Sequence, residues 1–289
     1  MYKDKKIGIV ILNYKDANSV INLCNLVEQY EIIDKIVIID NLSPDDSLEQ
    51  LKKLASEKTE VIVADRNGGY SYGNNYGAFY LIDKYAVDIL FIANPDVKFE
   101  ENILISISEI LSQGDIHAAS GMMLLLDGSE GDVFKNKRRY CEDLCSCTIL
   151  LKKILLKNTD KVSLGDDIIK VYRLPGSFFG ILAESFKDIG GFDDGVFLYS
   201  EEDILGSKME KHGYKCVIDT SSVYVHMESI SIDKSIDHVR KIEQVYKSLF
   251  YYYKNYAEID SFRLFLLGIF MNYGLFMRKI LYPLRKILK

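Results

Sequence analysis

The sequence predicts an α/β fold, with a mostly parallel central sheet flanked by helices and a C-terminal helical amphipathic extension. Three observations predict it. Through the first hundred residues, wholly apolar runs of strand length alternate with segments whose apolar residues recur at helical spacing, the pattern of parallel strands buried on both faces. Several of those runs stop abruptly at polar or acidic residues, which then stand at the sheet edge where open α/β folds bind ligands. After residue 240 the composition turns tyrosine-rich, apolar and basic.

The elements follow in order. Residues 7–12 (IGIVIL), 35–39 (KIVII), 61–64 and 90–93 read as strands. Residues 19–30, 47–58 and 75–85 between them read as helices. Residues 102–112 read as a helix and 118–126 as a strand, while 127–147 are polar and charged and carry no clear period. Residues 174–182 (LPGSFFGIL) read as a strand pair segment, 183–189 and 203–212 as helices, and 216–218 and 223–226 as two short strands. The boundary of the main domain falls near residue 240, giving domains 1–240 and 241–289.

An apolar content of 48% suffices for a large core, and 27% charged residues suit an aqueous surface. The five cysteines are odd in number, and Cys141, Cys145 and Cys147 cluster without a CxxC pair or a nearby histidine, so reduced thiols are expected rather than a zinc site. The opening MYKDKK leads directly into a strand, which predicts no signal peptide. The net charge of −6 conceals a basic tail, since residues 261–289 contain six basic residues and no acid. Residues 264–277 are uncharged and apolar but fall short of the ~20 needed to span a bilayer. Basic flanks and tyrosines predict instead a segment lying in a membrane interface; packing against the body or a second copy of the chain is the other reading.

Two islands carry the chemistry, FIANPDVKF at 91–99 and GGFDDGVFLYSEED at 190–203. The first ends a buried strand at Asn94, Pro95 and Asp96; the second ends in Glu201, Glu202 and Asp203 at a helix start. A carboxylate at a strand end can hold a hard divalent cation, and one across a cleft can take a proton. Asn13, Asp40, Asn41, Arg66, Asn67 and Gly68 follow the earlier strands and suit a nucleotide. No GxGxxG follows the first strand and no GxxxxGKS occurs, which sets aside the dinucleotide and P-loop sites.

With these pieces together, the chain resembles an inverting family 2 glycosyltransferase of the GT-A (nucleotide-diphospho-sugar transferase) fold, in the rhamnosyltransferase-like branch of bacterial polysaccharide and capsule synthesis. The matching pieces are VILNYKD (10–16), IVIIDNLSPDDS (36–47), DRNGGYSYGNNYG (65–77), FIANPDV (91–97), GSFFGI (176–181), GGFDDGVFLYSEEDIL (190–205) and VYVHMESIS (223–231), covering roughly residues 5–235. The resemblance implies that Asp40, with Asn13 and Asn41, holds the nucleoside of a UDP- or dTDP-sugar. It implies that Arg66, Asn67, Gly68 and Asn75 close over the base and diphosphate. Asn94 and Asp96 stand at the DxD-type motif, where Asp96 would bind Mg2+ or Mn2+ with His226 completing the site. Glu202 or Asp203 is the general base, Asp203 slightly ahead because aspartate is the family's usual residue, with Glu201 beside them. Gly191, Phe192, Asp193 and Tyr199 would shape the acceptor side. The acceptor implied is a saccharide on a polyprenyl diphosphate, and the tail would hold the enzyme peripherally on the cytoplasmic face of the membrane. No nucleic-acid partner is implied, and self-association is left open. The alternative is a catalytically inactive member serving as a membrane scaffold or partner subunit; a metal-dependent melting shift with UDP or dTDP separates the two.

Overall fold

The computed structural model describes residues 3–134, 136–148, 162, 163, 167–227 and 238–287. Strands β1 (Ile7–Asn13), β2 (Lys35–Asp40), β3 (Thr59–Val63) and β4 (Ile89–Ala93) pair in parallel in the order β3-β2-β1-β4. Helices α1 (Ala17–Val27), α2 (Ser47–Leu51) and α3 (Gly69–Tyr85) connect them. In β1, Ile7, Ile9 and Ile11 face one core and Val10 the other, because side chains alternate along a strand and both sheet faces are covered. The first core takes α1 and α4 (Glu101–Ser112); the second takes α3, α6 (Ala183–Asp188) and α7 (Glu201–Lys211).

Beyond β4 the sheet is mixed. It continues β9 (Phe178–Leu182), β6 (Ala118–Leu124), β10 (Cys216–His226), β8 (Ile168–Val171) and β7 (Val162–Ser163), with β5 (Val97–Lys98) added to β10. Strand β9 is antiparallel to both its neighbours, whereas β10 runs parallel to β6. The all-parallel order expected from the first hundred residues thus belongs to that half, and the second half mixes parallel and antiparallel pairs.

Several boundaries differ from the periodic reading, each for a physical reason. Helix α3 starts at Gly69 rather than Asn75. Its glycines penalise an isolated helix, but a Cβ on Gly73 would lie 2.4 Å from Leu12 and one on Gly77 2.8 Å from Val10, so close packing on the sheet decides. The helix expected over 47–58 ends at Leu51 and tightens into a 3-10 turn at Lys52–Leu54. The two short strands expected at 216–218 and 223–226 are one strand with a register shift between Asp219 and Val223, where the Asp219 carboxylate accepts hydrogen bonds from Ser221 and Ser222. Residues 174–182 hold one strand, β9, and the unassigned stretch contains α5 (Tyr140–Cys147).

The C-terminal segment forms α8 (His238–Asn255) and α9 (Ser261–Ile287). Tyr246, Leu249, Tyr252, Tyr253, Leu267 and Met271 are buried with Cys147 of α5, Val196 and Ile204 of α7 in a third core. The tyrosine-rich stretch is therefore a packed seam between the extension and the body. The other face of α9 exposes Phe262, Phe265, Ile269, Tyr273, Phe276 and Ile280 at steps of three or four residues. No helix among the described residues is long and apolar enough to cross a membrane.

Candidate active site

Parallel pairing sets the carboxyl ends of β1, β2 and β4 side by side, and Asn13 faces Asp40 in register. Both are fully buried. Asn13 Nδ2 donates to Asp40 Oδ1 at 2.6 Å and the Ser43 amide donates to Oδ2 at 2.9 Å, so the Asp40 carboxylate is oriented before any ligand arrives. Asn41 Nδ2 donates to Asn67 Oδ1 and to the Gly69 carbonyl, which ties the second strand end to the 66–69 turn. Gly68 leaves room for the Tyr72 ring, which a Cβ would meet at 2.3 Å. The Arg66 guanidinium lies 4.3 Å over that ring and 3.4 Å from Asp194, so the turn also touches the 190s loop. Tyr14 and Leu42, both largely exposed, stand beside this group.

Asn94 and Asp96 occupy the turn between β4 and β5. Pairing of β5 with β10 puts His226 opposite Val97 and brings His226 Nε2 to 3.3 Å from Asp96 Oδ2. Two residues distant in sequence thus converge, one carboxylate and one imidazole. Among the described residues no group of three histidine, cysteine or acidic side chains is placed to hold a metal ion. Asp96 and His226 would supply two ligands to a divalent cation, and the rest would have to come from a bound donor. Residues 228–231 of the 223–231 motif lie outside the described residues.

The three acids at the start of α7 have three different environments. Asp203 is fully buried and both its oxygens are engaged: Arg173 Nη1 donates to Oδ1 at 2.5 Å and Arg138 Nε to Oδ2 at 2.6 Å. With both oxygens held by guanidiniums and the side chain out of solvent, Asp203 has no oxygen free to meet an incoming hydroxyl, which disfavours it as the base. Glu201 Oε2 is sealed from solvent without a hydrogen-bond partner, and burial pushes this carboxyl up to about 8. Glu202 is about a third exposed; its Oε1 accepts from the Gly176 amide at 2.6 Å, and its Oε2 lies 3.9 Å from Arg173 Nη1. The next residue, Ser177, accepts the Asn94 amide on its carbonyl at 2.8 Å and shares a hydrogen bond with the Tyr224 hydroxyl. Consecutive residues therefore contact Glu202 and the Asn94–Asp96 turn, and Tyr224 stands near both carboxylates.

A strained turn leads into α7. Tyr199 and Ser200 both adopt left-handed conformations, φ +72° and +63°. Each costs of order 1–3 kcal/mol in a non-glycine residue and persists only where surrounding contacts impose it.

Four residues expected at the ligand sites make contacts within the scaffold. The Asn75 amide exchanges two hydrogen bonds with the Phe192 backbone, at 2.8 and 2.9 Å, and so fastens the 190s loop to α3 rather than facing a donor. Phe192 is buried against Tyr70, Phe179 and Phe186. Asp193 accepts hydrogen bonds from the Tyr251 and Tyr256 hydroxyls of the C-terminal segment. Gly191, at φ +65°, is required because a Cβ would meet Asn75 Oδ1 at 2.5 Å. Periodicity missed Arg138, Arg173, Tyr70 and Tyr253; for Arg138 the basic run at 137–139 was the available signal. A cleft of about 480 Å3 runs along α3 between Tyr72, Tyr76, Phe79, Tyr80 and Asp194, and neither Asp96 nor Glu202 lines it.

Comparison with known proteins bears on the fold and the family. Residues 8–113, from β1 through α4, match the family described as glycosyl transferase family 2. The low-salt glycan biosynthesis hexosyltransferase Agl10 of Haloferax volcanii is 28% identical over 95 residues, 33% of this chain and 29% of that protein. The chain thus spans less than a third of that curated relative. Among solved structures, GalNAc-T7 with UDP, GalNAc and Mn2+ superposes with TM-score 0.63 at 14% identity, over 89% of this chain and 49% of that one. The mannosyltransferase PcManGT of Pyrobaculum calidifontis with GDP-Man and Mn2+ gives 0.57 at 12% identity, over 94% and 72%. S. aureus TarS 1-349 with UDP-GlcNAc gives 0.56 at 12%, over 92% and 72%. The fold is that of the GT-A glycosyltransferases, and the family match with the hexosyltransferase relative supports a glycosyltransferase.

Proposed function

We propose that this chain is an inverting glycosyltransferase that moves a sugar from a nucleotide-diphosphate donor, UDP- or dTDP-linked, to an acceptor hydroxyl, with Glu202 as general base. One observation carries the assignment: Asp203 is fully buried and Glu201 Oε2 is sealed from solvent, whereas Glu202 is about a third exposed and contacts the segment that also holds the Asn94–Asp96 turn. Asp40, Asn13 and Asn41 hold the nucleoside, and the Arg66–Gly68 turn closes beside the diphosphate. Asp96 and His226 would hold Mg2+ or Mn2+; that ion, when bound, supplies positive charge against the departing diphosphate.

The Gly176 amide holds Glu202 Oε1 and leaves Oε2 to accept the acceptor hydroxyl's proton. As the acceptor oxygen bonds to the anomeric carbon, the bond from that carbon to the diphosphate oxygen breaks on the opposite face. One displacement inverts the centre. In the expected experiment, UDP or dTDP raises the melting temperature only when Mg2+ or Mn2+ is present, and Asp96→Asn removes that rise. A shift independent of metal, or no shift with either nucleotide, would sink the donor assignment.

The acceptor proposed is a saccharide on a membrane-held polyprenyl diphosphate, and α9 is proposed as the contact with the cytoplasmic leaflet. Its exposed row of Phe262, Phe265, Ile269, Tyr273, Phe276 and Ile280 is flanked by exposed Arg263 and Lys279. Apolar burial and basic residues, each worth roughly 1 kcal/mol on anionic lipid, would act together. Leu267 and Met271 on the opposite face are buried in the body, so truncating the helix would damage the fold. Substituting Phe262, Phe265 and Phe276 by serine is the cleaner test. Flotation with anionic phospholipid vesicles is expected to fall at least tenfold while donor hydrolysis is unchanged, and undiminished flotation refutes the contact.

A further inference from the structure

We propose that Arg138, Asp143 and Tyr253 form a positioning relay through which α8 holds the turn that carries Glu202. The inference rests on Glu202 being the base. None of the three residues lies within the family match at 8–113.

The relay is continuous. Asp203, next to Glu202, accepts from Arg138 Nε at 2.6 Å; Arg138 Nη1 donates to Asp143 Oδ1 at 2.7 Å; the Tyr253 hydroxyl donates to Asp143 Oδ2 at 2.6 Å. Tyr253 is buried on α8 and its ring meets Tyr140 edge-on at 5.7 Å. Asp143 lies in the first turn of α5, so three elements meet there. Helix α8 fastens the same segment at two further points. Ser248 Oγ donates to the Leu198 carbonyl at 2.7 Å, and the Tyr251 hydroxyl donates to Asp193.

These bonds bracket the left-handed pair Tyr199–Ser200. Contacts from outside the turn are what a strained backbone needs to persist. Loosening them lets α7 rotate and draws Glu202 away from the Gly176 amide. Charge acts in the same direction. Glu202 is faced by Glu201 and Asp203 on its own helix, by Arg173 before β9, by Tyr70 on α3 and by Tyr224 on β10, with Arg138 one residue beyond Asp203. Asp203 and Asp143 are balanced by Arg138 and Arg173. Removing the Arg138 charge leaves excess negative charge at the helix start beside Glu202.

The test uses the full chain, with transfer from saturating nucleotide-sugar measured across pH. Tyr253→Phe keeps the ring and removes one hydroxyl; kcat is expected to fall about 3- to 10-fold with donor KM unchanged, a small part of a general base's 10²–10⁴. Arg138→Gln is expected to lower kcat further and to move the acid limb of the kcat profile to higher pH, and Arg138→Lys to restore part of that limb. A fold defect alone lowers the active fraction without moving the limb. Should Arg138→Gln fail to fold, Tyr253→Phe decides by itself. Unchanged kcat in a folded Tyr253→Phe overturns the relay. Glu202→Gln separates the two readings. If it retains transfer, the base assignment falls and the relay with it. If it is inactive while Tyr253→Phe and Arg138→Gln match the parent protein in kcat and acid limb, only the relay falls.

Discussion

Glu202→Gln is expected to lower kcat by roughly 10²- to 10⁴-fold, the usual contribution of a general base. The glutamine oxygen still accepts the Gly176 amide, so the side chain keeps its place and loses only its ability to take a proton. Donor binding, proposed at Asp40 and the Asp96–His226 pair, is expected to be unchanged. Stability is expected to stay within about 0.5 kcal/mol, because the side chain is partly exposed and its nearest cation is 3.9 Å away. Release of nucleoside diphosphate in the presence of acceptor, together with a melting curve, reads both quantities. Transfer at the parental rate would eliminate Glu202 as the base.

Asp203→Ala is expected to do the reverse in kind, destabilising the fold by about 3–5 kcal/mol, the cost of stripping the partner from a buried charge. Asp203 is fully buried, and its removal leaves the Arg138 and Arg173 guanidiniums facing each other with their shared carboxylate gone. Asp143 still accepts from Arg138 but lies one residue further out, so the vacancy at the helix start is not refilled. Chemical denaturation of parent and variant measures the loss. A variant as stable as the parent yet inactive in transfer would return the base to Asp203.

These two neighbours show where reading the chain in one dimension stops. Strand ends at Asn13, Asp40 and Asn94 were legible, since apolar runs ending in polar residues are local patterns. The association of Asp96 with His226 was an expectation of the family resemblance, and the local pattern around either residue does not contain it. The choice among Glu201, Glu202 and Asp203 was not legible, because three adjacent acids have the same local pattern. Their difference comes from Arg138, 65 residues away in sequence, from Arg173 and from the Gly176 amide. Asn75 and Asp193 were misplaced for the same reason: a polar residue in a ligand-like motif can face a ligand or a neighbouring backbone, and only packing chooses.

By itself the sequence determined the alternating core of the first hundred residues, the row of polar strand ends and the amphipathic character of the last thirty, all of which depend on periodicity and composition. The tertiary structure decided the reversal of strand direction after β4, the burial of α8 against the carboxylate-bearing loop and the different surroundings of three consecutive acids. Burial and ion pairing depend on residues far apart in the chain, and free energies of that kind have no period along it to read.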